Sequence, residues 1–227
     1  MGTTISEDKY SYTVFFDIDK TLISGISGRE LVFSAVRKGY IKPAQLFRNA
    51  LTYLLYKIRL IDPLVMSEKL ISWTRGIPQV NIDELCYETT ERILLPSIYK
   101  EAENEIASHR RNNARIVLLS ATVTQVCRLI AEKVEADDFI CTVLESEDGA
   151  MTGNASGKLC FGEGKMEKLR EYCYKNNTDV SESFYYGDSI SDLPVFLFIG
   201  HPVCINPSQI LRKAAIKRGW QILNWSS

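Results

Sequence analysis

Three bulky apolar residues, Val14-Phe15-Phe16, run straight into Asp17-Ile18-Asp19-Lys20-Thr21-Leu22, and this junction limits the possible folds more than any other stretch. The apolar run has the density of a strand buried on both faces, as in a parallel sheet. Carboxylates at i and i+2 project to one side if the strand continues, and can converge on one point if the backbone turns. Two such anions together require a cation or a shared proton. Oxygen-only ligands suit Mg²⁺, which keeps waters and accepts a phosphate oxygen, and aspartate is a competent nucleophile toward phosphorus. The same string also fits a strand that ends in a solvated Asp-rich turn, so the rest of the chain has to decide.

Further strands follow. Residues 114–119 form a second apolar run ending at Ser120, with Ser120-Ala121-Thr122 expected at the turn into a helix over 123–134. Hydroxyls and unpaired amides at a helix N-terminus make a phosphate cradle, although capping alone would also account for them. A third strand is expected over 139–144, then a hairpin turn at Asp148-Gly149 and a loop over 157–164. Lys165 heads a helix over 166–175, a position disfavoured by the helix dipole unless an anion compensates it; Lys158 and Lys168 are its competitors. Residues 183–186 form a fourth strand that ends in Gly187-Asp188-Ser189-Ile190-Ser191-Asp192. Alone, this reads as an ordinary turn; with Asp17 and Asp19 it completes a metal site. A short strand over 203–205, a helix from Pro207 to Arg218 and an edge strand at Ile222-Leu223 close the chain.

Between the first two strands nearly everything reads as helix. Ser24-Gly25-Ile26-Ser27-Gly28 has the composition of a linker. Helices are expected over 30–38, from Pro43 to about 61, over 67–75, over 82–94 with Asp83-Glu84 in the first turn, and from Pro96 to Arg111. Phe47, Ala50, Leu51, Leu54, Leu55, Ile58 and Ile61 form an apolar stripe with Tyr53 and Tyr56 alongside, read first as internal core and alternatively as a face for a lipid-like substrate. Arg48, Lys57, Arg59 and Arg75 are candidate substrate-facing cations. At 227 residues the chain suits one core domain plus an insertion. The core is placed at 1–23 and 98–227, and a helical cap at 24–97.

A net charge of −1 supplies no global attraction for nucleic acid or anionic lipid. Six scattered cysteines without a C-x-x-C pair suit buried thiols in a reducing compartment, hence a cytoplasmic protein. The polar N-terminus carries no secretory signal, no apolar run reaches membrane-spanning length, and membrane contact is not expected.

Apolar strand with D-x-D-x-T-L, strand ending in Ser, lysine at a helix start, and strand with G-D-x-x-x-D occur here in that order. Together they resemble the four motifs of the haloacid dehalogenase superfamily of phosphohydrolases. The resemblance covers the whole chain, and the insertion is similar to a C1-type helical cap. Gly162-Glu163-Gly164-Lys165 and the tail from Ile205-Asn206-Pro207 to Leu223 resemble the phosphoserine-phosphatase-like branch. Two positions depart from it: Ile26 stands where a glutamate reads the substrate amine, with Glu30 one turn on, and Ser191 replaces an asparagine.

The resemblance implies an α/β fold, a Rossmann-like doubly wound parallel sheet carrying an inserted all-helical cap. It implies Asp17 as nucleophile and Asp19 as general acid and base. Mg²⁺ would be held by Asp17, the main-chain carbonyl of Asp19 and Asp188. Ser120, Ala121 and Lys165 would bind the phosphate, with Asp192 orienting Lys165 and Thr21 in support. The implied activity is Mg²⁺-dependent hydrolysis of a small phosphate monoester through an aspartyl phosphate. A phosphorylated amino acid or amino alcohol is the first substrate class, with transfer to an alcohol or a lysophospholipid-like substrate as alternatives.

Overall fold

The computed structural model describes residues 10–41 and 71–226. The helix expected from Pro43, its apolar stripe, and Arg48, Lys57 and Arg59 lie outside them.

Strands β1 (Tyr12–Phe16), β2 (Ala114–Val123), β3 (Asp138–Thr142), β6 (Phe184–Gly187), β7 (His201–Ile205) and β8 (Gln221–Leu223) form one sheet in the order β3-β2-β1-β6-β7-β8. Every pairing in it is parallel. The two remaining strands, β4 (Leu144–Glu147) and β5 (Ala150–Ala155), make a separate antiparallel hairpin. Its turn uses Asp148 and Gly149, both at positive φ (51° and 80°), as a two-residue hairpin turn demands.

Apolar residues fill both faces of the sheet, so alternate positions of one strand enter different cores. Val14, Phe16, Ile116, Leu118 and Tyr186 pack on one side with Ala102 and Ile106 of helix α3 (Lys100–Arg111) and Val126 and Ile130 of α4 (Thr124–Lys133). Phe15, Val117, Leu119 and Tyr185 pack on the other side. Their partners are Leu169 of α5 (Glu163–Lys175), Phe196 of α6 (Leu193–Phe198) and Leu211 of α7 (Gln209–Arg218). This is the expected Rossmann-like, doubly wound sheet. Among the described residues no helix is long and apolar enough to cross a membrane, and all six cysteines are free and buried.

Several local expectations differ from what forms. The glycine- and serine-rich stretch at 24–28 is not all linker, because α1 (Ser27–Arg37) starts inside it. Helix α2 (Gln79–Thr89) starts three residues earlier than expected, leaving Asp83-Glu84 in its second turn. It widens into a π turn over Thr90–Leu94 and a 3₁₀ turn over Leu95–Ser97. Pro96 explains the change, since it cannot donate to the carbonyl of Arg92 and its ring crowds that carbonyl. Pro96 therefore ends one helix and does not start the next, which begins at Lys100.

The segment between β1 and α3 leaves and re-enters the core side by side. Ile23 bridges Ile98, Ser24 N–H donates to the Ser97 carbonyl (2.9 Å), and Tyr99 N–H donates to the Leu22 carbonyl (2.9 Å). The β4–β5 hairpin joins this segment edge to edge: Gly76 N–H donates to the Met151 carbonyl (2.8 Å), and Met151 N–H to that of Ile77 (2.9 Å).

Leu118 is fully buried at the centre of the sheet beside Phe16. Leu118→Ala should destabilise the fold by about 2–5 kcal/mol, read as a lower urea midpoint at unchanged slope. A loss below about 1 kcal/mol would mean that this face is not close-packed.

Candidate active site

Parallel register carries the motif residues to one end of the sheet. Phe16 pairs with Leu118 on one side and Tyr186 on the other, so Asp17, Ser120 and Asp188 follow at the C-terminal ends of three adjacent strands. β1 lies where the strand order reverses, which is where open α/β sheets bind ligands. Asp17 is buried, and its N–H donates to the Tyr186 carbonyl (2.9 Å).

Lys165 reaches the same point from α5. It lies within the first turn of a helix that starts at Glu163, not ahead of one that starts at 166. Gly164 makes this approach possible, because a Cβ there would overlap the carbonyl of Leu159. The Lys165 ammonium donates to Asp17 Oδ1 (3.1 Å), Asp192 Oδ2 (2.8 Å) and the Tyr185 hydroxyl (2.8 Å). Tyr185 in turn donates to Asp192 Oδ2 (2.6 Å). All four side chains are buried. Burial alone would lower the lysine pKa, but the Asp17 and Asp192 carboxylates outweigh it and hold the group charged, above its ordinary value. Lys158 and Lys168 are not in this cluster: Lys158 is exposed and paired with Glu167 (2.5 Å).

Asp19 turns to a different partner. Its Oδ1 accepts from Ser27 N–H (2.8 Å) and its Oδ2 from Ser27 Oγ (3.1 Å). Ser27 Oγ also lies 2.8 Å from Thr122 Oγ1. Thr21 is fully buried, and its hydroxyl has no hydrogen-bond partner among the described residues.

Ser120-Ala121-Thr122 does not form the start of α4. Leu119 pairs with Ile140 and Val123 with Thr142, so these three residues stand against Cys141 alone as a bulge within β2. The bulge buries Ser120 and Thr122 and exposes Ala121. Thr122 N–H donates to Ser120 Oγ (3.4 Å), and Thr142 Oγ1 donates to the Ala121 carbonyl (2.9 Å). Among the outlying candidates, Arg75 packs against Gly153 of the hairpin, and Glu30 is paired with Arg29 (2.8 Å).

Three residues at this site escape the motif reading: Tyr185, Ser27 and Thr122. Tyr185 reads as a core aromatic in an apolar strand, and Ser27 as part of a linker. Thr122 lies in a candidate loop, but its tie to Ser27 spans 95 positions and leaves no local mark.

A profile of the haloacid dehalogenase-like hydrolase family matches residues 14–197. The chain belongs to that family. It is 27% identical over 212 residues to a phosphoserine phosphatase of Mycobacterium tuberculosis, covering 92% of this chain and 69% of that one. It is 26% identical over 219 residues to a histidinol-phosphatase of Neisseria meningitidis, covering 92% and 97%. A crystal structure of a Bordetella pertussis protein of unknown function superposes with a TM-score of 0.85 at 24% identity, covering 93% and 97%. The protein is a phosphatase, a phosphoric monoester hydrolase.

Charge at the site is unbalanced. Asp17, Asp19, Asp188 and Asp192 face one buried ammonium. Burial, with the charges of Asp192, Asp19 and Asp188, pushes Asp17 up to about 7 despite Lys165. Burial and the charge of Asp192 push Asp188 up to about 6. This donor set fits a hard divalent cation. Asp17 and Asp188 offer carboxylates, while the Asp19 side chain is held by Ser27, so only its main-chain carbonyl is left to join. Among the described residues no three acidic, His or Cys side chains are grouped so as to enclose a metal.

A carboxyl whose pKa is raised by folding binds its proton more tightly in the native state. Its stabilisation is complete below the unfolded value and disappears as pH rises through the folded one. In chelator, the melting temperature should therefore fall between about pH 4 and pH 7, with Lys165 charged throughout and adding no slope. Mg²⁺ should reverse most of that fall, and Asp17→Asn should flatten it. A melting temperature that rises with pH in chelator would contradict this charge balance.

Proposed function

We propose that this chain is a Mg²⁺-dependent phosphatase acting through an aspartyl phosphate on Asp17. The observation that carries the reading is the convergence of Asp17 on Lys165 at the strand end beside Asp188. Asp17 would attack phosphorus in line while the ester P–O bond breaks. Asp19 would give its proton to the leaving oxygen, then take one from the water that hydrolyses the acyl phosphate. Burial raises the Asp19 pKa against the hydrogen bonds from Ser27, which suits a group that must carry that proton.

Asp17, Asp188 and the Asp19 carbonyl would hold Mg²⁺, whose contribution when bound is positive charge on the transferring phosphoryl oxygens. Lys165 and the Ser120-Ala121 bulge would bind the remaining oxygens, with Asp192 and Tyr185 holding the ammonium in place. Thr21 would support the turn that carries both aspartates. Residues 24–97 are read as a helical cap over the crevice, excluding water and selecting the substrate.

The substrate class proposed is a phosphorylated amino acid or amino alcohol. Relatives named for phosphoserine and histidinol phosphate support it. Glu30, in the first turn of α1, offers a carboxylate for the amine. Six unpaired thiols support a cytoplasmic setting.

The test is phosphate release from p-nitrophenyl phosphate, phosphoserine and histidinol phosphate, with Mg²⁺ and with chelator. Turnover should require Mg²⁺ and fall at least about 10³-fold in Asp17→Asn. Acid quench during turnover should trap phosphate on the protein. Undiminished turnover in Asp17→Asn, or in chelator, would overturn the reading.

A further inference from the structure

We propose that Ser27 is a positioning residue for Asp19, holding the acid in register with the Ser120–Thr122 bulge. The inference rests on the phosphatase reading above and adds to it a residue outside the four motifs. Ser27 is fully buried and is the first residue of α1. Its N–H and Oγ take one carboxylate oxygen each of Asp19 (2.8 and 3.1 Å), and its Oγ also meets Thr122 Oγ1 (2.8 Å). A carboxylate gripped at both oxygens by one residue cannot rotate about its terminal bond without losing a contact. Its orientation is therefore set by where α1 begins.

Thr122 gives this grip a second anchor. It is buried in the β2 bulge, and its N–H donates to Ser120 Oγ. A continuous chain thus runs from the Asp19 carboxylate through Ser27 and Thr122 to Ser120. It ties the group that handles the leaving oxygen to the loop that faces the transferred phosphate. An ester presents those two groups at a fixed separation, so locking acid and loop together pre-sets the spacing that the reaction needs.

A purely structural role makes a different prediction. The N-cap of α1 is Ile26, which offers no side-chain cap, and Asp19 supplies the missing acceptor from eight residues upstream. If helix capping were the whole role, Ser27→Ala, which keeps that N–H, would leave the relative rates on different substrates unchanged.

Leaving-group dependence separates the two, because an acid matters most where the departing oxygen is a poor leaving group. The full chain would be assayed for kcat/KM on an alkyl phosphate and on p-nitrophenyl phosphate, whose leaving group needs little protonation. Ser27→Ala should lose about tenfold or more on the alkyl ester and less than about threefold on the aryl ester. Ser27→Thr, which keeps the hydroxyl, should restore the alkyl activity, and Thr122→Val should show a weaker form of the same selective loss. Equal losses on both esters, no loss on either, or failure of Ser27→Thr to rescue would overturn the proposal. If the unaltered protein cleaves neither ester, it is the phosphatase reading that fails.

Discussion

Burying the Lys165 ammonium between Asp17 and Asp192 is the interaction on which the rest of the site depends. An isolated ammonium in this environment would be expelled or neutralised. Two carboxylates and a tyrosine hydroxyl within 3.1 Å keep it charged, and it in turn allows Asp17 to lie buried at the C-terminal end of the central strand. The arrangement explains why β6 carries Tyr185 toward α5 while its neighbour Tyr186 points to the other core. It also explains the glycine beside the lysine, since α5 reaches the crevice only by passing the Leu159 carbonyl at a distance that forbids a side chain.

One ammonium cannot balance four carboxylates, and the remainder defines the chemistry. A site meant only to be stable would have fewer acids or more bases, since buried ion pairs contribute little net stability even when well matched. Here Asp17 and Asp188 are left with pKa values raised toward neutrality, a signature of groups held ready for a ligand. A phosphate ester brings still more negative charge. With Mg²⁺ held as proposed, cation and ester would each ease the binding of the other.

The strand ends were legible in the sequence because their signals are local. An apolar run, an abrupt polar residue and a fixed spacing are all written within ten positions, and parallel pairing does the rest. The Asp148-Gly149 turn was legible for the same reason. What escaped is written between segments. Ser27 sits in a stretch whose composition reads as a hinge, and only its contacts with Asp19 and Thr122 reveal a buried anchor. The β2 bulge was read as a helix start because Ser and Thr before an apolar helix look the same in either geometry. Pro96 is a genuine ambiguity, since proline is common both at the first turn of a helix and just after the end of one.

The attachment of the segment between β1 and α3 shows which parts of the molecule belong together mechanically. Main-chain hydrogen bonds join residues 76–79 to the β4–β5 hairpin, with Gln79 N–H donating to the Gly149 carbonyl (2.9 Å) beside the two already described. Gln125, at the start of α4, donates to Asp83 of α2 (3.0 Å), and Ser27 of α1 meets Thr122. The last two contacts both fall within the four residues from Thr122, the last of the β2 bulge, to Gln125. The main-chain bonds to the hairpin each contribute about 1 kcal/mol to holding it against the segment. A displacement of that segment would therefore pull on β4 and β5 through shared main-chain bonds, and on the stretch that follows Ser120 through Thr122 and Gln125.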